Sequence, residues 1–155
     1  MFTDNDVRLA TAADTDSIGD LLNAFNKEYH EPTPSPKQLS ARFKELFDQG
    51  DTSVLLGGDG PDGVAVLRFR SSIWSNSLEC YLAELYVKPQ SRGNQLGHYL
   101  LQAAIELAKQ KGADYMDLGT SEADVAAIKL YESFGFTNHE SRPDGPIMYV
   151  YEREL

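Results

Sequence analysis

The sequence predicts an α/β domain: a mixed, largely antiparallel central sheet of about six to seven strands with helices on both faces. Three observations predict it. Apolar residues recur at helical spacing in several separate stretches, and between these lie short runs that are apolar throughout or alternate with period two. The elements follow the order β-α-α-β-β-β-α-β-α-β-β, which suits a sheet covered on both sides. At 155 residues and 17.2 kDa the chain has the size of one domain, 1–155, with a sizeable core.

Residues 7–10 are short and apolar and read as the first strand, with Thr11 to Asp14 leading into a helix. Ile18, Leu21, Leu22 and Phe25 form one apolar stripe on that helix, which ends near Tyr29. The run Glu31-Pro32-Thr33-Pro34-Ser35-Pro36 excludes helix until Ser35 caps and Pro36 opens the next one. That second helix carries Leu39, Phe43, Leu46 and Phe47 and stops near Gly50. Residues 52–56 and 63–70 form a hairpin around Gly57 to Asp62. Residues 71–77 form a second turn in which Trp74, the only tryptophan, lines a pocket or covers the edge of the core.

Residues 82–136 carry most of the information. A strand over 82–87 ends at Lys88-Pro89, where proline's missing N–H stops the ladder. Arg92-Gly93-Asn94-Gln95-Leu96-Gly97 then delivers the chain into a helix that runs to about Gln110, with Gly112 as its stop. A helix N-terminus reached through such a loop offers unpaired N–H groups and partial positive charge to a phosphate. The loop over 92–97 matches neither the P-loop pattern nor Gly-x-Gly-x-x-Gly. A strand over 115–119 follows. Ser121-Glu122-Ala123-Asp124 has the form of a helix N-cap, and a last strand alternates over 147–152.

Arg92, Gln95 and Gly97 fall on the fixed positions of a motif, Arg/Gln-x-x-Gly-x-Gly/Ala, with Gln95 in place of its middle glycine. Downstream, Asp124-x-x-Ala127-x-x-Leu130-Tyr131 and then Gly135-Phe136 match a second segment, with Asp124 where asparagine is usual. At this separation the two segments resemble the GNAT superfamily of acetyl-CoA-dependent N-acetyltransferases. The resemblance implies a GNAT-like fold and acetyl-CoA as cofactor. It places the cofactor along the backbone of Leu85, Tyr86 and Val87, on Arg92, Gly93, Asn94, Gln95, Leu96, Gly97 and His98, and near Asp124 and Ala127.

The resemblance also makes Tyr131 the donor to the departing thiolate and the first helix-loop-helix one wall of the acceptor pocket. Glu28, Tyr29, His30 and Glu31 are then candidate acceptor contacts, and Trp74 joins them. An alkyl amine is mostly protonated at neutral pH, so transfer needs a base. Glu84 is the candidate, because it sits beside the backbone of residues 85–87, where the pantetheine arm belongs; it serves as base or as counter-charge to the ammonium, with a perturbed pKa as its signature. The expected reaction moves an acetyl group to a primary amine, most simply a small cationic amine. Acetylation of a protein N-terminus or lysine is the second reading, and a CoA-binding module without turnover is the third.

Composition narrows the partners. A net charge of −10 argues against nucleic acid, which needs clustered cations. Residues 1–62 hold 12 acids and 5 bases, a net of −7, leaving −3 for the part that carries the phosphate loop. No apolar run approaches the roughly 18 residues of a membrane helix, and Met1 to Asp6 has no signal-peptide character, so a cytoplasmic protein is expected. Cys80 is the single cysteine and reads as a buried strand residue. His30, His98 and His139 have no ligand spacing, so no metal is expected. A homodimer through the C-terminal strands is possible by resemblance.

Overall fold

Short apolar runs, buried at every position in β2 and through the first five residues of β3, build a five-stranded sheet in the order β1-β2-β3-β4-β5: β1 Val7–Leu9, β2 Thr52–Gly57, β3 Gly63–Ser71, β4 Leu78–Val87 and β5 Ala113–Asp117. The first four pair antiparallel and β5 joins β4 in parallel. The computed structural model describes residues 1–155, in two compact units, Met1–Leu118 and Gly119–Leu155.

In the first unit, α1 (Thr15–Glu28) and α2 (Pro36–Gln49) share a core with one sheet face. Ile18, Leu21, Leu22, Phe43 and Leu46 pack with Val54, Leu56, Val64, Val66 and Tyr86. The two helices come close together at Gly19, where a side chain would strike the Pro36 carbonyl. Ser35 accepts a hydrogen bond from Gln38 N–H at 3.1 Å, and Gln38 Oε1 accepts one from Ser35 N–H at 2.9 Å, so the expected cap is a full capping box. Two asparagines pin the proline-rich loop: Asn23 donates to the Pro34 carbonyl at 2.9 Å and Asn26 to Pro32 at 3.2 Å.

Helix α3 (Leu96–Gln110) packs on the sheet with Leu96, Leu100, Leu101, Ala104 and Ala108 buried. Its first turns lie close to the β2–β3 hairpin because Gly63 has no side chain: a Cβ there would stand 2.8 Å from Leu100 Cδ1 and 3.1 Å from the Tyr86 carbonyl. Gly112, at φ +90°, ends the helix and turns the chain directly into β5. That strand therefore starts two residues earlier than the sequence pattern suggests.

The second unit holds α4 (Val125–Ser133). Asp124, rather than Ser121, is its N-cap: its carboxylate accepts the Ala127 N–H at 3.1 Å, while Ser121 accepts from Ala123 N–H at 3.2 Å. Gly135, at φ +88°, follows the C-terminal end. The expected last strand over 147–152 does not form. A single antiparallel bridge joins His139 to Ile147, and Ile147, Met148, Tyr149, Val150 and Tyr151 are all exposed. Period-two alternation makes a strand only where a partner supplies a ladder, and one bridge is not a ladder. The sheet thus has five strands instead of six to seven. No helix is long and apolar enough to cross a membrane.

Candidate active site

The strand β4 changes phase in its middle. Val66 pairs with Glu84 but Leu67 pairs with Leu82, so Ala83 is an extra residue on β4. Such a bulge bends its strand and raises the local twist. Pairing with β5 ends just before it, at Tyr81 opposite Asp117. From Leu82 to Val87 the β4 backbone has no partner strand on its β5 side, so the two strands part where residues 85–87 lie. Backbone donors freed by such a parting are available to a carbonyl oxygen or a pantetheine amide.

Glu84 stands at this point. Beyond the bulge it shares a face with Tyr86, whose ring is stacked on Phe25 of α1 at 4.7 Å. The residue as a whole is exposed, yet the protein around its carboxyl removes enough water to push its pKa above the usual carboxylate range. It forms no ion pair. A carboxyl raised by desolvation and left without a cation is suited to receive a proton.

The loop after β4 has the geometry of an anion cradle. Gly93 adopts φ +79° with open space around it, and Gln95, the N-cap of α3, is held at φ +67°. The left-handed conformation of Gln95 explains physically why a glycine suits this position. Tyr99 N–H already bonds the Gln95 carbonyl at 3.1 Å, while the N–H groups of Leu96 and Gly97 have no carbonyl partner. The backbone at this helix start therefore fits a pyrophosphate. Phe2 N–H bonds the Asn94 carbonyl at 3.2 Å and ties the N-terminal arm to the loop.

Two residues assigned to opposite sides of the site meet here. Arg92 donates from Nη2 to Glu28 Oε1 at 2.8 Å and from Nε to the Val87 carbonyl at 3.0 Å, and its guanidinium lies 5.7 Å from the centre of the Tyr86 ring. Tyr86 donates to the same Glu28 oxygen at 3.1 Å. Burial, with this bond to Glu28, pushes the Tyr86 phenol up. Glu28 thus joins the end of α1, the end of β4 and the phosphate loop.

Leu85 and Val87 are half-buried on β4, Leu96 is buried, and Gly97 and His98 are half-buried in the first turn of α3, His98 against the Tyr99 ring at 5.2 Å. Tyr29 is exposed with its ring 5.4 Å from Phe25; His30 adopts φ +56° and Glu31 is exposed. Trp74 is 87% exposed in its turn, so it covers no edge of the core. In the second unit Asp124 and Ala127 are joined by the cap bond, and Tyr131 sets its ring 6.1 Å from Phe136. Cys80 is fully buried, and burial with the nearby Asp117 carboxylate pushes its thiol to about 11.

The bulge at Ala83 escaped sequence reasoning, although a signal exists; the parting around Leu85 to Val87 is what the family resemblance implies. Glu79 and Tyr81 hold one phase of the strand and Glu84 and Tyr86 the opposite phase. Continuous alternation cannot satisfy both, so one residue between them must be extra.

Comparison with known proteins places the chain in a family. The model of the "Acetyltransferase (GNAT) family" matches residues 18–136. A putative acetyltransferase from Arthrobacter sp. FB24 superposes with a TM-score of 0.87 at 39% identity, over 96% of this chain and 95% of that one. An uncharacterised N-acetyltransferase of Schizosaccharomyces pombe is 38% identical over 76 residues, 49% of this chain and 47% of its own length. The thialysine N-epsilon-acetyltransferase of Bos taurus is 30% identical over 73 residues, 47% of this chain and 42% of its own. The chain thus spans less than half the length of these two curated relatives. With the family match running through both the anion cradle and the Tyr131 segment, the chain belongs to the GNAT acetyltransferase family.

Proposed function

We propose that the chain transfers an acetyl group from acetyl-CoA to a primary amine on a small cationic molecule, with Glu84 as the base. The observation that carries this reading is the desolvated, unpaired carboxyl of Glu84 at the bulge where β4 leaves β5. Acetyl-CoA, when bound, supplies the acetyl group as a thioester. The N–H groups of Leu96 and Gly97 hold its pyrophosphate, and the β4 backbone of Leu85, Tyr86 and Val87 holds its arm. Gly93, Asn94, Gln95 and His98 shape the cradle, and Arg92 sets its position through Glu28 and Val87.

Glu84 removes the proton that an ammonium group carries at neutral pH and so exposes the lone pair that attacks. Backbone donors of the parted strand lower the barrier by bonding the carbonyl oxygen as it takes up charge. Tyr131 donates a hydrogen bond to the departing sulfur. A thiol, near pKa 8.5, is a stronger acid than a phenol near 10, so a hydrogen bond suffices and full proton transfer is not required. The name of the bovine relative supports an amine acceptor of small size. The family match crosses from the first unit into the second, which supports reading the chain as one functional domain.

The test is release of CoA thiol from acetyl-CoA against polyamines, aminoglycosides, amino acids and short peptides, with wild type and Tyr131→Phe. One amine class should drive release, and the variant should slow it without weakening cofactor binding. Preference for peptides over free amines would favour acetylation of a protein. Binding of acetyl-CoA with no transfer to any amine would contradict the enzyme reading.

A further inference from the structure

On the sheet face that carries α1 and α2, the strands β3, β4 and β5 run on beyond the helices. Val64 and Val66 belong to the core on that face, and Arg68 and Arg70 continue their alternation. Register sets Arg68 opposite Tyr81 and Tyr81 opposite Asp117, so three neighbouring strands present a guanidinium, a phenol and a carboxylate in one row. The next row is Arg70, Glu79 and Tyr115. A concavity of about 430 Å³ lies here, lined by Arg68, Phe69, Arg70, Tyr81 and Asp117.

The two rows are not equivalent. Arg70 is engaged, with Nε 2.7 Å from Glu79 Oε2. The side chains of Arg68 and Asp117 form no ion pair and no hydrogen bond, and Arg70 acts on the Asp117 carboxylate only through space while bonded to Glu79. Their Cα atoms are two strand spacings apart, about 10 Å, with the half-exposed Tyr81 ring between them. Opposite charges held apart on either side of an aromatic floor match a ligand that carries both charges on one carbon. One row further along the same face is Glu84, opposite Val66. The rise of a strand makes that step about 7 Å. The flexible four-carbon stem of a lysine-like molecule is of this length.

We propose that the Arg68–Tyr81–Asp117 row binds the head of an amino-acid acceptor that bears a second, distal amine. Arg68 takes the α-carboxylate, for which the planar guanidinium fork is suited. Asp117 takes the α-ammonium, the Tyr81 ring supports the methylene stem, and the distal amine arrives at Glu84. This rests on the acetyl-transfer reading above and names its acceptor class. A plain diamine lacks the carboxylate and leaves Arg68 unpaired.

The experiment is CoA-thiol release with lysine, cadaverine and Nα-acetyl-lysine, for wild type, Arg68→Gln, Arg68→Lys and Asp117→Asn. All three positions of the row lie at the surface of the sheet, and circular dichroism verifies that each variant is folded. The wild type should prefer lysine to cadaverine in kcat/KM by about tenfold or more, the scale of one charge-assisted pair. Arg68→Gln should collapse that ratio mainly through KM, with Arg68→Lys restoring part of it. Asp117→Asn should collapse the ratio of lysine to Nα-acetyl-lysine. Turnover of lysine and cadaverine at equal kcat/KM, or a ratio indifferent to Arg68→Gln, overturns the assignment and leaves the acetyl-transfer reading standing. Failure of every amine on the wider panel overturns the acetyl-transfer reading and the assignment with it.

Discussion

Arg92 Nη2 lies 2.8 Å from Glu28 Oε1, which joins the phosphate loop to the end of α1. The pair is half open to solvent, with side-chain exposures of 42% and 26%, so screening limits its strength. Its value is positional, because the same guanidinium also holds the Val87 carbonyl at the end of β4. A double-mutant cycle of Arg92→Ala and Glu28→Ala, read by urea denaturation, should give a coupling of about 0.5–1 kcal/mol. A coupling of zero would mean that each side chain acts alone.

Gln95 occupies a left-handed conformation at φ +67° that costs a residue with a Cβ about 1 kcal/mol or more. Gln95→Gly should therefore stabilise the protein by about 0.5–1 kcal/mol, the relief of strain outweighing the added freedom of the unfolded chain. Chemical denaturation compares the two, and a loss of stability would show that the Gln95 side chain contributes more than its backbone costs.

Asp14 receives a fork from Arg8, at 2.9 and 2.8 Å, and the Thr11 N–H at 2.8 Å. The Arg8 hydrogen bond, with Thr11 behind it, holds the Asp14 carboxyl well below the usual carboxylate range. The native state therefore gives up this proton at lower pH than the unfolded chain does. Its stabilisation is complete above the unfolded pKa, near 4, and is lost as pH falls through the native value. Asp14→Asn should cost about 1–2 kcal/mol at pH 7, and the gap to wild type should narrow toward pH 2. Denaturation curves across that range measure it.

Much of the fold was legible because local chemistry marked it. Ser35-Pro36 announced α2, and Leu96 to Gly112 carried both the stripe and the stop of α3, whose observed bounds are Leu96–Gln110. Pairing with β5 stops at Tyr81, and the bulge at Ala83 follows where the two strands part. That bulge shows in the sequence only as a change of phase between Tyr81 and Glu84, which uniform alternation hides. The strand over 147–152 had the right pattern and no ladder. The Arg68–Tyr81–Asp117 row was illegible for another reason: three residues from three strands become neighbours only through register, which no local signal carries.

Glu84 presents the opposite sign to Asp14. Desolvation raises its native pKa, so the native state holds the proton more tightly than the unfolded chain. Stability from this group is present below the unfolded pKa, near 4.3, and is lost as pH rises through the native value. Glu84→Gln should therefore gain stability relative to wild type between pH 4 and pH 7, as is common where a site is kept at a cost to the fold.

The kinetics of that same variant decide whether Glu84 is the base. Acetyl transfer by Glu84→Gln is measured against wild type across pH, at saturating acetyl-CoA and with the preferred amine. With Glu84 as the base, kcat/KM should fall by about 10²- to 10⁴-fold at neutral pH, with the acid limb of the wild-type profile absent and acetyl-CoA affinity unchanged. Turnover by Glu84→Gln equal to wild type, with the acid limb intact, would contradict it.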